Sequence, residues 1–255
     1  EIRASRKEYA AVTQPSTSLD DDFKNLLSAE PDARNKKLIA ARYGWGGKAP
    51  ATLQEVGDNF APLTRERVRQ ICQRFENRIG EKKLHLPSIS RALAICFESV
   101  PATEECLIEQ IKQAGLSTSD PSIEGLVNAA NLAGIKVKIE KATSPYSECW
   151  CPLGGEAIPA EICRISRQRM SSQGAANLSQ IADEIGDQFK VSITPDFVEL
   201  LLAKHDRFVR FDEFPGWFWF NTSRNRLVNV LKKIFAVADR MHVTEVRSAV
   251  QRSRR

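Results

Sequence analysis

The strongest pattern in the chain lies between residues 52 and 80. The apolar side chains of its second half recur every three or four residues and form one stripe along a helix: Val68, Ile71, Cys72, Phe75 and Ile79. Thr64 stands where the N-cap of this helix belongs, and Thr52 holds the same place before a shorter helical segment, LQEVGDNF. Because only a short connection separates the two segments, the pattern predicts a helix-turn-helix.

A plan of three helices followed by strands occurs twice after this segment. Residues 88–140 contain three helical stretches and the alternating segment IKVKIE. Residues 160–220 contain three more, followed by two strands around the turn Phe214-Pro215-Gly216. Three helices with a β-hairpin form the winged-helix plan, so we expect a mostly α protein in which a helix-turn-helix domain precedes tandem winged-helix modules.

These patterns give five expected parts of the chain. They are an N-terminal linker or extension (1–22), the helix-turn-helix domain (23–84), two winged-helix-like modules (85–150 and 151–221) and the start of a third, truncated helical unit (222–255). The apolar stripe of the last part needs a partner surface, which we expect to be the preceding unit, a second copy or residues outside this chain.

Composition excludes several classes of protein. The 255 residues are 42% hydrophobic and 27% charged, which is ordinary globular usage, and no apolar run approaches the roughly 18 residues of a membrane span. The first residues, EIRASRKEYA, lack the apolar core of a signal peptide and do not begin with Met, so the chain is also compatible with a fragment. The cysteines show no CxxC pair and no nearby His, and we expect free thiols, no metal, no cofactor and a cytoplasmic location.

The charge is mildly basic and unevenly placed. Lys and Arg number 37 against 32 Asp and Glu, a net charge of +5, with basic clusters at 64–83 and 224–255. The first turns of the predicted second helix carry side chains off the apolar stripe that can read base edges: Arg65, Glu66, Arg69 and Gln70. Arg67 and Arg74 are expected nearer the phosphates. The alternative is a helix face that is merely solvated.

Residues 33–80 carry a resemblance to a known family. LIAARYGW, TLQEVGDNF and LTRERVRQI are similar to region 4 of bacterial primary-type (sigma-70-type) sigma factors, which reads the promoter −35 element. The resemblance implies base-reading roles for Arg65, Glu66, Arg69 and Gln70. It implies contacts with the DNA backbone for Arg42, Thr52 and Leu53, and we expect the capping Thr64 to contact the backbone as well. The segment DNFAPLT is one residue longer than the usual family turn, and nothing before 33 or after 85 resembles a sigma factor, so the likeness supports DNA binding more than initiation.

The hairpin expected at 208–220 is unusually aromatic. Seven aromatic residues fall within thirteen positions: Phe208, Phe211, Phe214, Trp217, Phe218, Trp219 and Phe220. They suit either a base-stacking platform or packing onto the helices of their own module, and we expect packing, with Trp217 and Trp219 together in the core. The acidic and apolar tip Glu213-Phe214-Pro215-Gly216 suits a protein partner better than phosphates.

The function that follows is sequence-specific binding of double-stranded DNA in transcription, by a sigma-like factor or a regulator. We expect no enzymatic activity, because His85, His205 and His242 stand apart without a motif and the Gly-rich segment 44–48 follows a helix. Two alternatives stay open: an adaptor that docks on RNA polymerase, and a targeting part of a larger enzyme. The DNA sequence, the oligomeric state and the direction of regulation stay open as well.

Overall fold

The structure is a computed structural model that describes residues 18–60, 63–80, 84–222 and 225–253. It is mostly helical with two small sheets, and it divides into two compact units, Glu1–Ile139 (unit 1) and Glu140–Arg255 (unit 2). Most of the expected linker, residues 1–17, lies outside the described residues, as do Ala61 and Pro62 of the expected turn and Arg224, Arg254 and Arg255 of the C-terminal basic cluster. Within the described parts, no helix combines the length and apolar character needed to cross a membrane.

Unit 1 contains seven helices within the described residues. They are α1 (Leu19–Leu27), α2 (Ala33–Tyr43), α3 (Leu53–Asn59), α4 (Arg65–Gly80), α5 (Pro87–Ser99), α6 (Glu104–Gln113) and α7 (Ile123–Leu132). Helix α1 begins inside the range expected to be linker, because Ser18 and Asp21 form a capping box that fixes its first turn. The buried Asp22 of α1 then accepts a hydrogen bond from the backbone N–H of Ile89 (2.9 Å) and so holds the first turn of α5.

The helix pair α3–α4 forms as the sequence predicts. Thr52 accepts the N–H of Glu55 while the Glu55 carboxylate accepts the N–H of Thr52 (2.7 Å), and Thr64 Oγ1 accepts the N–H of Arg67 (3.2 Å). Both predicted threonine caps are therefore confirmed. The two helices pack closely at Gly57, where a Cβ would lie 2.7 Å from the carbonyl oxygen of Leu63.

One aromatic cluster joins this helix pair to the rest of unit 1. The Trp45 ring lies 5.1 Å from Tyr43 and 5.9 Å from both Phe23 and Phe75, measured between centroids. Its indole N–H donates to the backbone oxygen of Gly125 in α7 (3.0 Å). The expected helix-turn-helix domain 23–84 and the helices of the expected module 85–150 therefore share one core.

Unit 2 combines five helices with strands, among its described residues. Its elements are β1 (Ile139–Thr143), β2 (Glu148–Pro152), α8 (Ile158–Gln173), β3 (Ala176–Asn177), α9 (Leu178–Phe189), α10 (Pro195–Ala203), β4 (Phe208–Arg210), β5 (Trp217–Phe220), α11 (Arg226–Phe235) and α12 (Val243–Arg252). Strand β1 starts on the last residue of unit 1. Strands β1 and β2 form one sheet, and the antiparallel order β3-β5-β4 forms the other, with Val209 opposite Trp219.

Two packing features of unit 2 differ from the expected domain boundaries. The first hairpin, expected to complete the module 85–150, buries Ala142, Cys149 and Cys151 in the same core as α8. The segment 222–255 does not stand apart either. Helix α11 packs on α8, where the buried Asn225 donates to the backbone oxygen of Gly174 (2.9 Å). The contact covers the predicted stripe only in part, since Leu227, Val230, Leu231 and Ile234 are half-buried and Val237 is 90% exposed.

The expectation that Trp217 and Trp219 form part of the core is wrong for Trp217. Successive residues of a strand face opposite sides of a sheet, and the core side of β5 is taken by Phe218 (0% exposed) and Phe220 (4%). Trp217 is 38% exposed and Trp219 is half-buried. The sequence predicts the alternation but gives no sign of which side the helices cover.

Candidate nucleic-acid interface

The exposed side of α4 carries the predicted base-reading residues. With about 100° of rotation per residue, Glu66 and Gln70 lie opposite the buried stripe of Val68, Ile71, Cys72, Phe75 and Ile79, and these five are buried as the pattern predicts. Arg65 and Arg69 lie to one side of this centre, and Arg67 and Arg74 to the other. Gln70 is half-buried, and the other side chains named here off the stripe are exposed.

Hydrogen bonds link these exposed side chains into a network. The Glu66 carboxylate accepts from Arg69 Nε (2.9 Å) and Nη2 (2.8 Å), and from Gln70 Nε2 (3.3 Å). Arg67 Nη1 donates to Gln70 Oε1 (3.4 Å). The guanidinium of Arg69 holds the pKa of Glu66 below its ordinary value, so Glu66 is an anionic acceptor at neutral pH.

Arg69 keeps free donors in this arrangement. A guanidinium has five N–H groups, and Arg69 uses one on Nε and one on Nη2 for Glu66, and one on Nη1 for Gln73 (3.1 Å). One N–H on each terminal nitrogen is left, which is the pair that guanine O6 and N7 accept in an end-on bidentate contact. Glu66 and Gln73 thus orient Arg69 without using the donors that a base needs.

The predicted backbone-contact residues divide into two groups. Arg42 and Leu53 line a cleft of about 290 Å³ together with Arg69. Arg42 is half-buried, and its Nη1 donates to the backbone oxygen of Ala51 (3.0 Å), which anchors the connection into α3. The backbone N–H of Thr52 donates to the Glu55 carboxylate, and this hydrogen bond lowers the pKa of Glu55, so the N–H already has an anionic acceptor.

Thr64, Arg67 and Arg74 lie outside that cleft. Thr64 caps α4, and its hydroxyl oxygen already accepts a backbone N–H. Arg65 and Arg74 are exposed, and neither has a side-chain hydrogen bond or ion pair with the residues that the structure describes. Their charge is therefore available to an external anion.

Sequence reasoning missed the groups that position the interface from behind. Tyr43 Oη donates to Glu76 Oε1 (2.5 Å), and Tyr43 and Glu76 line the cleft with Arg42 and Arg69. Burial, followed by this hydrogen bond, raises the pKa of Tyr43 far above its ordinary value. Gln73 and Glu76 follow Arg69 by four and seven residues. This spacing is the one sequence signal that the three side chains lie on the same side of the helix.

Helix α10 of unit 2 has a different surface from α4. Helix α10 contains no Lys or Arg and carries Asp196, Glu199 and the half-exposed Leu200. Beside it in sequence, Phe211, Phe214 and Trp217 line an apolar cleft of about 390 Å³ with Ala175, and Phe214 is 59% exposed. Glu199 pairs with Arg210 (2.9 Å), so α10 offers a phosphate no cation of its own and this surface suits duplex DNA less well than that of α4.

The six cysteines are free thiols of unequal accessibility. Five are buried and Cys106 is exposed, and no group of three or more His, Cys, Asp or Glu side chains among the described residues is arranged to hold a metal ion. Burial raises the pKa of Cys72 and of Cys163 to about 11, and that of Cys96 to about 12. Because the thiolate is the reactive form, these three cysteines are protected from reaction both by their burial and by their raised pKa.

We expect one thiol of the native chain to react rapidly with a disulfide reagent such as 5,5′-dithiobis(2-nitrobenzoate). That thiol is Cys106, because the reagent cannot reach the buried five without local unfolding. The count of thiols released in the first phase measures it, and Cys106→Ser should abolish that phase. A second fast thiol would show that one of the buried cysteines is exposed in solution.

No family model matches the chain, and neither a curated protein nor a solved structure shows significant similarity to it. The geometry of α3 and α4 and the resemblance carried by residues 33–80 are therefore the features of the chain that bear on its function.

Proposed function

We propose that the protein binds double-stranded DNA sequence-specifically, with α3 and α4 as a helix-turn-helix and α4 as the recognition helix. The observation that carries the proposal is the first two turns of α4, where Arg65, Glu66, Arg69 and Gln70 are all off the buried stripe. In a helix-turn-helix the N-terminal residues of the second helix contact base edges in the major groove, while the first helix crosses the backbone.

The chemistry of these side chains suits the groove. Arg65 and Arg69 match guanine, Gln70 matches adenine, and Glu66 accepts from cytosine N4. Arg67 and Arg74 lie on the other side of α4, where a groove wall would stand, and supply charge for phosphates. The aromatic cluster around Trp45 and the contact of α7 with the end of α2 hold this pair rigidly from behind.

We further propose that unit 2 is a winged-helix module that meets protein rather than DNA. Its order, helix α8, strand β3, helices α9 and α10, then strands β4 and β5 in a β3-β5-β4 sheet, supports the fold. The acidic α10 and the exposed apolar cleft of Phe211, Phe214 and Trp217 support the protein partner. For α5–α7 we propose no winged helix, because the hairpin that follows them packs in unit 2.

A role in transcription is the setting that the resemblance to sigma region 4 favours. The alternative is an adaptor that docks on RNA polymerase and binds DNA weakly, and the apolar cleft of unit 2 is the observation in its favour. Selection of binding sites from random duplex DNA with the purified full chain separates the two. An enriched motif would support base reading by α4. No enrichment of any motif would favour the adaptor.

Arg69→Ala is expected to weaken binding to the selected site by about ten- to a hundredfold and to change binding to unrelated duplex little. The reason is the loss of one bidentate contact with a guanine, which discriminates between bases. Fluorescence anisotropy with the selected duplex and with a scrambled duplex measures both affinities.

Arg74→Ala is the matched control for this experiment. It removes the same charge from the same helix, so binding should weaken equally on both duplexes, and the slope of log affinity against log salt should become shallower by about one. Arg69→Ala also removes the cation that pairs with Glu66, and the unpaired carboxylate would repel DNA. The double variant Glu66→Gln/Arg69→Ala therefore separates the lost contact with a base from this added repulsion. Equal losses on both duplexes in that double variant would refute base reading by Arg69.

A further inference from the structure

Unit 2 contains a second cleft, separate in sequence from the helix pair of unit 1. Its volume is about 550 Å³, within the roughly 300–1,000 Å³ of small-molecule sites. We call it the arginine cleft and define it by six of its lining residues: Tyr146, Arg167, Met170, His205, Arg207 and Phe220.

The two arginines of this cleft carry uncompensated charge. Arg164, Arg169 and Arg210 of the same unit each pair with a carboxylate at 2.5–2.9 Å. Arg167 and Arg207 have no carboxylate partner among the described residues, and no acidic side chain lines the cleft in that part of the chain. Two unpaired guanidinium groups in one concavity attract an anion, and their planar donor forks match phosphate.

One wall of the cleft is aromatic. The rings of Tyr146 and His205 meet edge to face at 4.5 Å between centroids, and His205 lies 4.8 Å from Phe220. Arg167 donates from Nε (2.9 Å) and Nη2 (2.7 Å) to Tyr146 Oη, so the neutral tyrosine holds the guanidinium in place without cancelling its charge. The Tyr146 ring stands at 79° to that of His205 and Phe220 is 4% exposed, so His205 and Tyr146 supply the accessible aromatic surface.

His205 is held in this wall by two contacts of its Nδ1. The backbone N–H of Arg207 lies 3.0 Å from it, and Oδ1 of Asp206 lies 3.1 Å away. Within one cleft the chain therefore combines two guanidinium groups that have no carboxylate partner with an aromatic surface.

We propose that the arginine cleft binds a nucleoside phosphate, with the phosphate on Arg167 and Arg207 and the base against the rings of Tyr146 and His205, behind which the buried Phe220 packs. A bare anion would need the arginines alone, and an apolar ligand would need the rings alone. A free mononucleotide and the 5′-phosphorylated end of a nucleic-acid strand share this chemistry, and either would fill the site.

The test is calorimetric titration of the full-length chain with adenosine monophosphate, with adenosine, with inorganic phosphate and with a trinucleotide that carries or lacks a 5′-phosphate. We expect saturable binding of the monophosphate, with adenosine and phosphate each at least tenfold weaker. Tighter binding of the 5′-phosphorylated trinucleotide than of the monophosphate would identify a strand end as the source, and the reverse order would identify a free nucleotide.

Variants place the binding in this cleft. Arg167→Gln and Arg207→Gln should each weaken binding about ten- to a hundredfold, as expected for a charge-assisted contact with phosphate. Arg164→Gln removes the same charge one turn away on α8 but outside the cleft, and should change nothing. Arg207→Glu is a second probe, since the exposed Arg207 has no ion-pair partner to lose among the described residues, and melting curves check that all variants fold.

Three results would overturn the proposal. One is no saturable binding of the monophosphate or of the phosphorylated trinucleotide. Another is inorganic phosphate binding as tightly as the monophosphate, which would remove the role of the rings. The last is an equal loss in Arg164→Gln, or full binding in Arg207→Glu, since either would place the anion elsewhere.

Discussion

Trp45→Ala is expected to lower the free energy of unfolding of unit 1 by about 3–5 kcal/mol, the usual cost of truncating a buried aromatic side chain. Trp45 is 7% exposed and contacts aromatic rings from α1, from the end of α2 and from α4. It also donates the hydrogen bond that ties this cluster to Gly125 of α7. Its removal opens a cavity where four helices meet.

The consequence should be confined to unit 1. Unit 2 has its own core, formed by residues 142–220. We therefore expect faster hydrogen exchange in α4 and α7, loss of sequence-specific DNA binding near the melting temperature, and unchanged exchange in α9. Hydrogen exchange followed by mass spectrometry resolves these helices as separate peptides.

Trp45→Phe is the control that separates the loss of the aromatic ring from the loss of the hydrogen bond. It keeps most of the ring area and removes the N–H donor to Gly125, so its cost should be about 1–3 kcal/mol. If both variants exchange like the wild type in α4, then Trp45 does not hold this proposed recognition helix, and the shared core of unit 1 is not what positions it.

The helix pair α3–α4 could be predicted because its information is local. Capping threonines, the Glu55 of the capping box and the stripe from Val68 to Ile79 all act within one helix or across one short turn. The same holds for the exposed position of Arg65, Glu66 and Arg69, which follows from the angle to the stripe. Periodicity alone gives these positions.

The joining of the two expected domains into unit 1 could not be predicted in this way. It depends on contacts between distant residues, such as Trp45 with Gly125, and on the absence of a side chain at Gly125, where a Cβ would lie 2.3 Å from the backbone oxygen of Gly44. The sequence shows a glycine in a helix and a tryptophan between glycines. It does not show that the two meet.

The arginine cleft escaped prediction for the same reason. Tyr146, Arg167, His205 and Phe220 come from four separate segments, and none of them belongs to a motif. Arg167 differs from Arg164 and Arg169 only in having no carboxylate within reach, which the spacing on α8 does not reveal. Unpaired charge is a property of the folded unit.

Phe218→Ala is expected to destabilise unit 2 by about 3–5 kcal/mol, while Trp217→Ala, one residue away, changes its stability by about 1 kcal/mol or less. Phe218 is fully buried, with its ring centroid 5.2 Å from that of Phe208 and 5.7 Å from that of Phe220. Trp217 is on the other face of β5, beside Phe211 and Phe214. Urea denaturation, with exchange in α9 as the local probe, measures both variants.

The variants Phe218→Ala and Trp217→Ala also separate the proposed roles of the two units. Phe218→Ala should weaken nucleotide binding in the arginine cleft, whose wall includes the neighbouring Phe220, and leave the sequence preference of α4 intact. Trp217→Ala should keep both activities and lose binding to any protein that docks on the apolar cleft. If Trp217→Ala instead unfolds unit 2 and Phe218→Ala does not, the two faces of β5 are exchanged in solution. The exposed aromatic cleft would then be core, and the argument for a protein partner there would fail.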